Sequence, residues 1–404
     1  MAGASTLTVT LSHNSDVLFA LQAEWEELLA NSIYTSIFLT WEWMAAWWGA
    51  YGRGRQLWLM QARNEEGRLV GLAPLMLCRH VTGPVRWHEL MLVSTEPGLG
   101  DPDHMDFIVA RGCEEAVLKA FRSELCARRS EWDLLSLIGL RCESPTREYF
   151  TELGAEFAEE AGEVCPCFPL PASWHDYEYE VLDKTRRHEV RRYEKRLESE
   201  LGERARFRQV EDEADLKRIL TAICEARRRH SQETDAPNAF ETPEAKAFHY
   251  QAGERFLRRG WLHATYLEID GVIAAWLYGF KYNGVAYGYQ TGFDPQWGRY
   301  APGQLIFAYG IRTAIEQGLH SYDLLRGGEG YKKHWACDQC TDTNLHVIAS
   351  ERARAKMGQL AAMRQVWQGV KRIIPPAIRA HMRRSALGTK PLSPERLQDD
   401  KLSH

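Results

Sequence analysis

The sequence predicts an α+β chain built of two similar units, and three observations carry that reading. The chain has 404 residues, more than one ordinary hydrophobic core accommodates. Its signals run helices, antiparallel meander, loop, helix, strand, and that order occurs twice. Its composition, 45% hydrophobic and 26% charged, is that of a globular protein and excludes a disordered one.

In the first unit, residues 21–31 read as a helix. Residues 38–50 read as a second, with Phe38, Trp41, Met44 and Trp48 near helical spacing. Two apolar runs then flank the turn signal Asn64-Glu65-Glu66-Gly67, which predicts a hairpin. A Gly/Pro/Asp-rich loop near 95–104 leads to a strand at 105–110, a helix at 114–129 and a strand at 132–139. The Pro/Cys-rich stretch 163–172 reads as the junction, so the units are expected over 1–165 and 166–350.

In the second unit, helices at 213–229 and 243–259 precede three strands. Their turns, Asp270-Gly271 and Asn283-Gly284, are strong hairpin signals. The loop Trp297 to Gln304 feeds a helix at 305–317, which Gly318 stops, and a strand follows at 320–325. Residues 351–404 form a basic, helix-prone tail that breaks at Pro375-Pro376. Its stripe of Met357, Leu360 and Met363 is expected to pack on the second unit, with an anionic membrane surface as the alternative.

The clearest chemical signal lies at Arg299-Tyr300-Ala301-Pro302-Gly303-Gln304. Pro302 suits a first helical position, and Gly303 lets a ligand approach the backbone. Free N–H groups between Tyr300 and Leu305, together with the helix dipole, predict an anion site, with Arg299 adding a charged contact. The alternative is a helix-starting loop that binds nothing. Tyr289 and Gln290, at the end of the preceding strand, complete the expected donor side. The segment 184–197 reads as a helix with a basic side carrying Lys184, Arg187, His188, Arg191 and Lys195, capped by Asp183. Cations in the first turn oppose the helix dipole, which is understandable where an anion binds. The alternative is a solvated face paired with Glu194, Glu198 and Glu200.

The run from Gly292 to Trp335 resembles the signature of CelD/BcsL-type acetyltransferases of cellulose and exopolysaccharide synthesis. The matching elements are Ala301-Pro302-Gly303, Asp323 to Gly327, and Tyr331-Lys332 with Trp335. Phe38 to Trp48 and Leu170 to Arg192 resemble further stretches of that family. The resemblance implies two tandem GNAT-fold domains related to the FemABX aminoacyl transferases. It also implies an acetyl-CoA or other acyl-CoA donor and transfer to an amino or hydroxyl group of a sugar or surface-polymer precursor. The usual Gln/Arg-x-x-Gly-x-Gly/Ala loop is replaced here by a single Gly303, which keeps an aminoacyl-tRNA donor as the alternative. A non-catalytic module binding polysaccharide machinery is the third reading.

Acyl transfer to an amine needs a base, donors that polarise the carbonyl, and an acid for the leaving thiolate. Asp323 and Glu329 are the expected bases, Tyr331 the acid, and Lys332, Arg187 and Arg191 the contacts to an anionic acceptor. A structural ion pair of Asp323 with Arg326 is the alternative for that residue. Asp101, Asp103, His104 and Asp106 read as a solvated loop running into a strand, with metal or substrate binding as the alternative. Cys165-Pro166-Cys167 and Cys337-Asp338-Gln339-Cys340 lie far apart in sequence, so no metal is expected. A net charge of −5 excludes a whole-molecule polycation, and no DNA partner is expected. With no export signal and an odd count of nine Cys, the expected setting is the cytoplasm, with peripheral contact at the membrane or polysaccharide machinery.

Overall fold

The computed structural model describes residues 7–141, 143–151, 153–234, 240–327, 332–335 and 338–373. Its strands are β1 (Thr8–Ser12), β2 (Gln56–Arg63), β3 (Leu69–Thr82), β4 (Val85–Leu92), β5 (Ile108–Val109), β6 (Leu134–Leu140), β7 (Glu156–Pro169), β8 (Ala205–Gln209), β9 (Leu262–Ile269), β10 (Val272–Tyr282), β11 (Val285–Phe293), β12 (Ser321–Asp323) and β13 (Asp338–Ile348). Its helices are α1 (Ser15–Ala20), α2 (Gln22–Ala30), α3 (Trp41–Tyr51), α4 (Glu114–Ala127), α5 (Thr146–Phe150), α6 (Trp174–Asp176), α7 (Lys184–Leu201), α8 (Glu213–Thr234), α9 (Pro243–Arg258), α10 (Pro302–Glu316) and α11 (Glu351–Ile373).

All strands join one sheet in the order β1-β2-β3-β4-β6-β13-β7-β12-β11-β10-β9-β8, with β5 attached to β3. The expected duplication is visible in its pairings. Each half is an antiparallel meander followed by a helix and one parallel strand: β4 with β6 across α4, and β11 with β12 across α10. Parallel neighbours need such a crossover, which is why a helix sits at the same place in each half. The second-half hairpins form where the sequence places them. Asp270 and Gly271, and Asn283 and Gly284, all take positive φ, as the favoured tight hairpin turns require. Helix α10 ends as expected at Gly318, where Leu319 N–H bonds Ala314 O and Gly318 N–H bonds Ile315 O.

The join between halves is less simple than the expected boundary. The position between 165 and 166 falls inside β7, which pairs β13 along most of its length and β12 at its end. Strand β13, late in the sequence, inserts beside β6 of the first half. Above this join one apolar core runs through both halves. Trp43 of α3 packs edge-on against Phe248 and lies parallel to Phe256, both on α9, and it meets Phe280 and Tyr289 of the second meander. Truncating so central an aromatic costs about 3–5 kcal/mol. The opposite face of the second half has its own core beneath α7 and α10.

The tail helix corrects one expectation. Met357, Leu360 and Met363 pack against Val85 and Trp87 of β4, in the first half rather than the second. Lys356 of the same helix reaches Asp133 at 2.7 Å. The break at Pro375-Pro376 lies outside the described residues. Among the described residues, no helix is long and apolar enough to cross a membrane.

Candidate active site

Strands β11 and β12 pair only over Val285–Tyr287 and Ser321–Asp323. Beyond Tyr287, β11 runs on to Phe293 with its pairing to β10 alone. The chain then turns through Pro295–Tyr300, with the Asp294 carboxylate accepting from Gln296 N–H at 3.1 Å. Ala301 takes φ 48° and ψ 50°, and α10 begins at Pro302 in the first helical position.

A cavity of about 500 Å³ opens at this joint. It is lined by Thr291, Gly292 and Phe293 of β11, Gly298, Ala301, Gly303, Gln304 and Phe307 of the loop and α10, and by Arg186 and Trp335. Three polar atoms on its lining residues lack protein partners among the described residues. They are the Gly303 N–H, the buried Nε of Arg186 and the buried Oε1 of Gln304. Arg186 lies over the Trp335 ring at 5.6 Å, and one of its terminal nitrogens is 3.2 Å from Glu189. Buried polar groups in folded chains are nearly always paired, so unpaired ones on residues that line a cavity point to a ligand.

The row of free amides expected here is shorter than the sequence suggested. Ala301 N–H bonds Gly298 O at 3.0 Å, and the Ala301 carbonyl accepts from both Gln304 N–H at 2.9 Å and Leu305 N–H at 3.2 Å. The tight turn ends directly on the helix cap and absorbs these donors. Pro302 has none, so Gly303 alone remains of the run from Ala301 to Leu305. A Cβ at Gly303 would meet the Phe293 ring at 3.0 Å, so the backbone and that ring approach closely here.

The other expected donor residues sit elsewhere. Arg299 turns out to Glu200 at 2.6 Å and also meets the Tyr300 hydroxyl. Gln290 accepts from Arg227 at 2.5 Å in a separate groove beside α8. Tyr289 is buried among the aromatics of the shared core and donates to Gly100 O at 2.5 Å; that burial pushes its phenol pKa up.

The expected acceptor cations are occupied as well. Arg191 grips the Glu178 carboxylate with two bonds, at 2.6 and 2.8 Å, and Arg187 donates to Glu178 O while lying over the Tyr179 ring. Lys332 is buried, with Nζ 2.5 Å from Arg326 O and 3.3 Å from Leu325 O, where it holds a turn in which Leu325 has φ 55°. Glu329 and Tyr331 lie outside the described residues.

Asp323 does not line the cavity. It sits at the seam between halves, with Oδ2 2.9 Å from His104 Nε2 and Oδ1 accepting from Leu325 N–H at 2.8 Å. His104 Nδ1 lies 3.0 Å from Asp342 Oδ1. Burial works against charge on His104, yet the carboxylates on its two sides hold its pKa well above the ordinary value. Arg326, the partner considered for Asp323, instead binds Asp103 at 2.6 Å. Burial raises the pKa of Asp103 in spite of that pair, and it raises Asp106 to about 6.

The expectation of a solvated loop at Asp101 to Asp106 is therefore corrected for Asp103, His104 and Asp106, all buried. The second half covers the first two, and Asp106 accepts from Thr146 at 2.6 Å. The two cysteine pairs are far apart in sequence, and Cys337 lies outside the described residues. Cys340 lies directly across from Cys165 on neighbouring strands.

Arg186 is the residue the reading of the basic helix missed. It stands four positions before Val190, and with Tyr193 and Leu197 it continues the apolar stripe rather than the solvated side. A cation on the apolar stripe of a helix was the available signal.

Residues 184–333 match the acetyltransferase (GNAT) domain family. No curated protein matches the chain. Among solved structures, FemX is similar at 10% identity and TM-score 0.57, over 81% of this chain and 96% of that one. A conserved protein of unknown function from Bacteroides thetaiotaomicron is similar at 13% identity and TM-score 0.51, over 84% and 100%. The C-terminal domain of an Agrobacterium fabrum protein assigned as a lysylphosphatidylglycerol synthetase is similar at 10% identity and TM-score 0.51, over 86% and 96%. Residues 184–333 thus match the acetyltransferase (GNAT) domain family, and the described chain as a whole has a fold similar to that of FemX.

Proposed function

We propose that the chain transfers an acyl group from acyl-CoA, acetyl-CoA in the simplest case, to an amino or hydroxyl group of a sugar or cell-surface polymer precursor. The observation that carries this reading is the cavity at the start of α10, whose lining residues Gly303 and Arg186 hold an N–H and a buried Nε without protein partners among the described residues. The anionic part of the donor sits against these two groups, and the acyl arm runs along β11 where β12 has left it. Backbone N–H groups of β11 there polarise the thioester carbonyl. The acceptor nitrogen or oxygen forms the new bond to the carbonyl carbon, the C–S bond breaks, and the thiolate takes a proton. Glu329 and Tyr331 take the base and acid roles, since they lie within six residues of the cavity-lining Trp335. Asp323, tied to His104 at the seam, acts by positioning.

The resemblance of Ala301 to Gly303 and of Asp323 to Trp335 to CelD/BcsL-type proteins supports an acceptor in cellulose or exopolysaccharide synthesis, reached from the cytoplasmic side. An aminoacyl-tRNA donor is the second reading, supported by the likeness of fold to FemX. Against it, Arg187 and Arg191, the cations that would meet the nucleic acid, are engaged with Glu178. Calorimetric titration separates the two. Saturable binding of acetyl-CoA supports the first reading. Its absence at millimolar donor, with a salt-sensitive complex with charged tRNA, would replace it with the second.

A further inference from the structure

The geometry points to a second site, a zinc-type divalent cation site at the seam between the halves, with His104, Cys165, Asp342 and Cys340 as its ligands. Antiparallel pairing sets Cys340 of β13 opposite Cys165 of β7, and Asp338 opposite Cys167. Residues directly opposite share one face of a sheet, with side chains close enough to touch. Onto this face the loop from the first half lowers His104. One ligand atom each from His104, Cys165 and Asp342 lies within 4.8 Å of the others, and all three residues are buried.

The two ring nitrogens of His104 have separate surroundings. Nε2 is 2.9 Å from Asp323, and Nδ1 is 3.0 Å from Asp342. In zinc sites a ligating histidine commonly gives its other nitrogen to a carboxylate, which fixes the ring. Asp323 stands in that place, and the cation enters between Nδ1, Asp342 and Cys165, displacing the proton that Nδ1 shares with Asp342 and that of the Cys165 thiol, both released to solvent. Cys340, across from Cys165, lies outside that 4.8 Å group and completes the set by a change of side-chain rotamer. Two sulfurs, one nitrogen and one oxygen make a set that suits tetrahedral Zn²⁺, at bond lengths of about 2.0–2.3 Å. Cys340 is only partly buried, so a cation has a way in from solvent. The ligands come from the first half's loop and from the two central strands, so the cation would fasten the join that the Arg326–Asp103 pair also holds. This site is independent of donor binding, and its test does not use acyl transfer.

The full chain, stripped with a chelator and kept reduced, is titrated with Co²⁺ as a spectroscopic probe, and Zn²⁺ is then added in competition. The expected result is one Co²⁺ per chain with thiolate charge-transfer and tetrahedral d–d bands, which Zn²⁺ abolishes. Cys165→Ser removes the charge-transfer intensity of one thiolate, and Asp323→Asn weakens affinity about 10–100-fold. Cys224→Ser, on α8, leaves the titration unchanged. Should Cys165→Ser fail to fold, alkylation of the wild-type chain with and without Zn²⁺ gives the same answer, since Zn²⁺ protects Cys165 and Cys340 but not Cys224. Absence of thiolate bands at one equivalent, or equal alkylation with and without Zn²⁺, would overturn the proposal. So would a Cys165–Cys340 disulfide in the freshly isolated protein.

Discussion

The two faces of the second-half sheet hold different kinds of buried polar group. On the α10 face, Gly303 N–H, Arg186 Nε and Gln304 Oε1 are left without protein partners beside a cavity. On the face toward the first half, Asp103 is matched with Arg326, and His104 lies between Asp323 and Asp342. An unpaired buried group costs about 1–3 kcal/mol, so a fold keeps one mainly where a ligand completes it. A paired charge network at a join costs little while intact and a great deal once one member is lost. The first face is therefore read as a binding site and the second as a fastening, although the second holds more of the residues usually associated with chemistry.

The largest effect expected from this contrast is at the fastening. Arg326→Ala leaves the Asp103 carboxylate buried without its partner, and about 3–5 kcal/mol of stability is lost. Urea unfolding followed by tryptophan fluorescence would register that loss. An unchanged midpoint would mean that the seam does not hold the halves together.

The next effect is at the binding face. Gly303→Asp places a carboxylate where the donor's anion is expected, and its Cβ displaces only the half-exposed Phe293 ring. Affinity for acetyl-CoA should fall about a hundredfold, equivalent to ~2.7 kcal/mol, with little change in unfolding. A matching loss of stability would instead make Gly303 a structural glycine.

A more gradual effect, spread over the acid range, separates titration from both faces. His263, buried and 3.0 Å from Gly310 O, has its pKa lowered to about 4 by burial, and His249 is lowered to about 3. A depressed folded-state pKa gives stability that is present above the unfolded value near 6.5 and is lost as pH falls toward the folded value. Stability should therefore decline from pH 6.5 to about 4, by up to about 1.4 kcal/mol per pH unit for each histidine. His263→Gln should flatten that decline, and an unchanged slope would assign it to other groups.

Much of the fold was legible because its signals are local. Paired turns at Asp270-Gly271 and Asn283-Gly284, and a helix between Pro302 and Gly318, need no knowledge of distant chain. The insertion of β13 between β6 and β7 was not legible, since pairing residues 156–167 with 338–348 is decided by the packing of the whole molecule. The same pairing hid the meeting of Cys165 with Cys340. At the candidate site, Gly303 and Gln304 line the cavity and Pro302 opens the helix beside it, and both features are legible because the chemistry of a helix start is written locally. Arg299 and Arg186 were confused for a physical reason. Arg299 is next to the loop in sequence, but Glu200 on a neighbouring helix captures it. Arg186 is distant in sequence, and only the docking of α7 on α10 brings it to the cavity.

That exchange of arginines gives the most direct measurement: the dissociation constant of acetyl-CoA for Arg186→Glu and Arg299→Glu, side by side with the wild-type chain. The structure predicts that Arg186→Glu loses binding by tenfold or more, roughly a charged hydrogen bond, while Arg299→Glu stays within about twofold, as expected for an exposed ion pair. The reverse order, or no binding by the wild-type chain, would contradict the assignment of the cavity to the acyl donor.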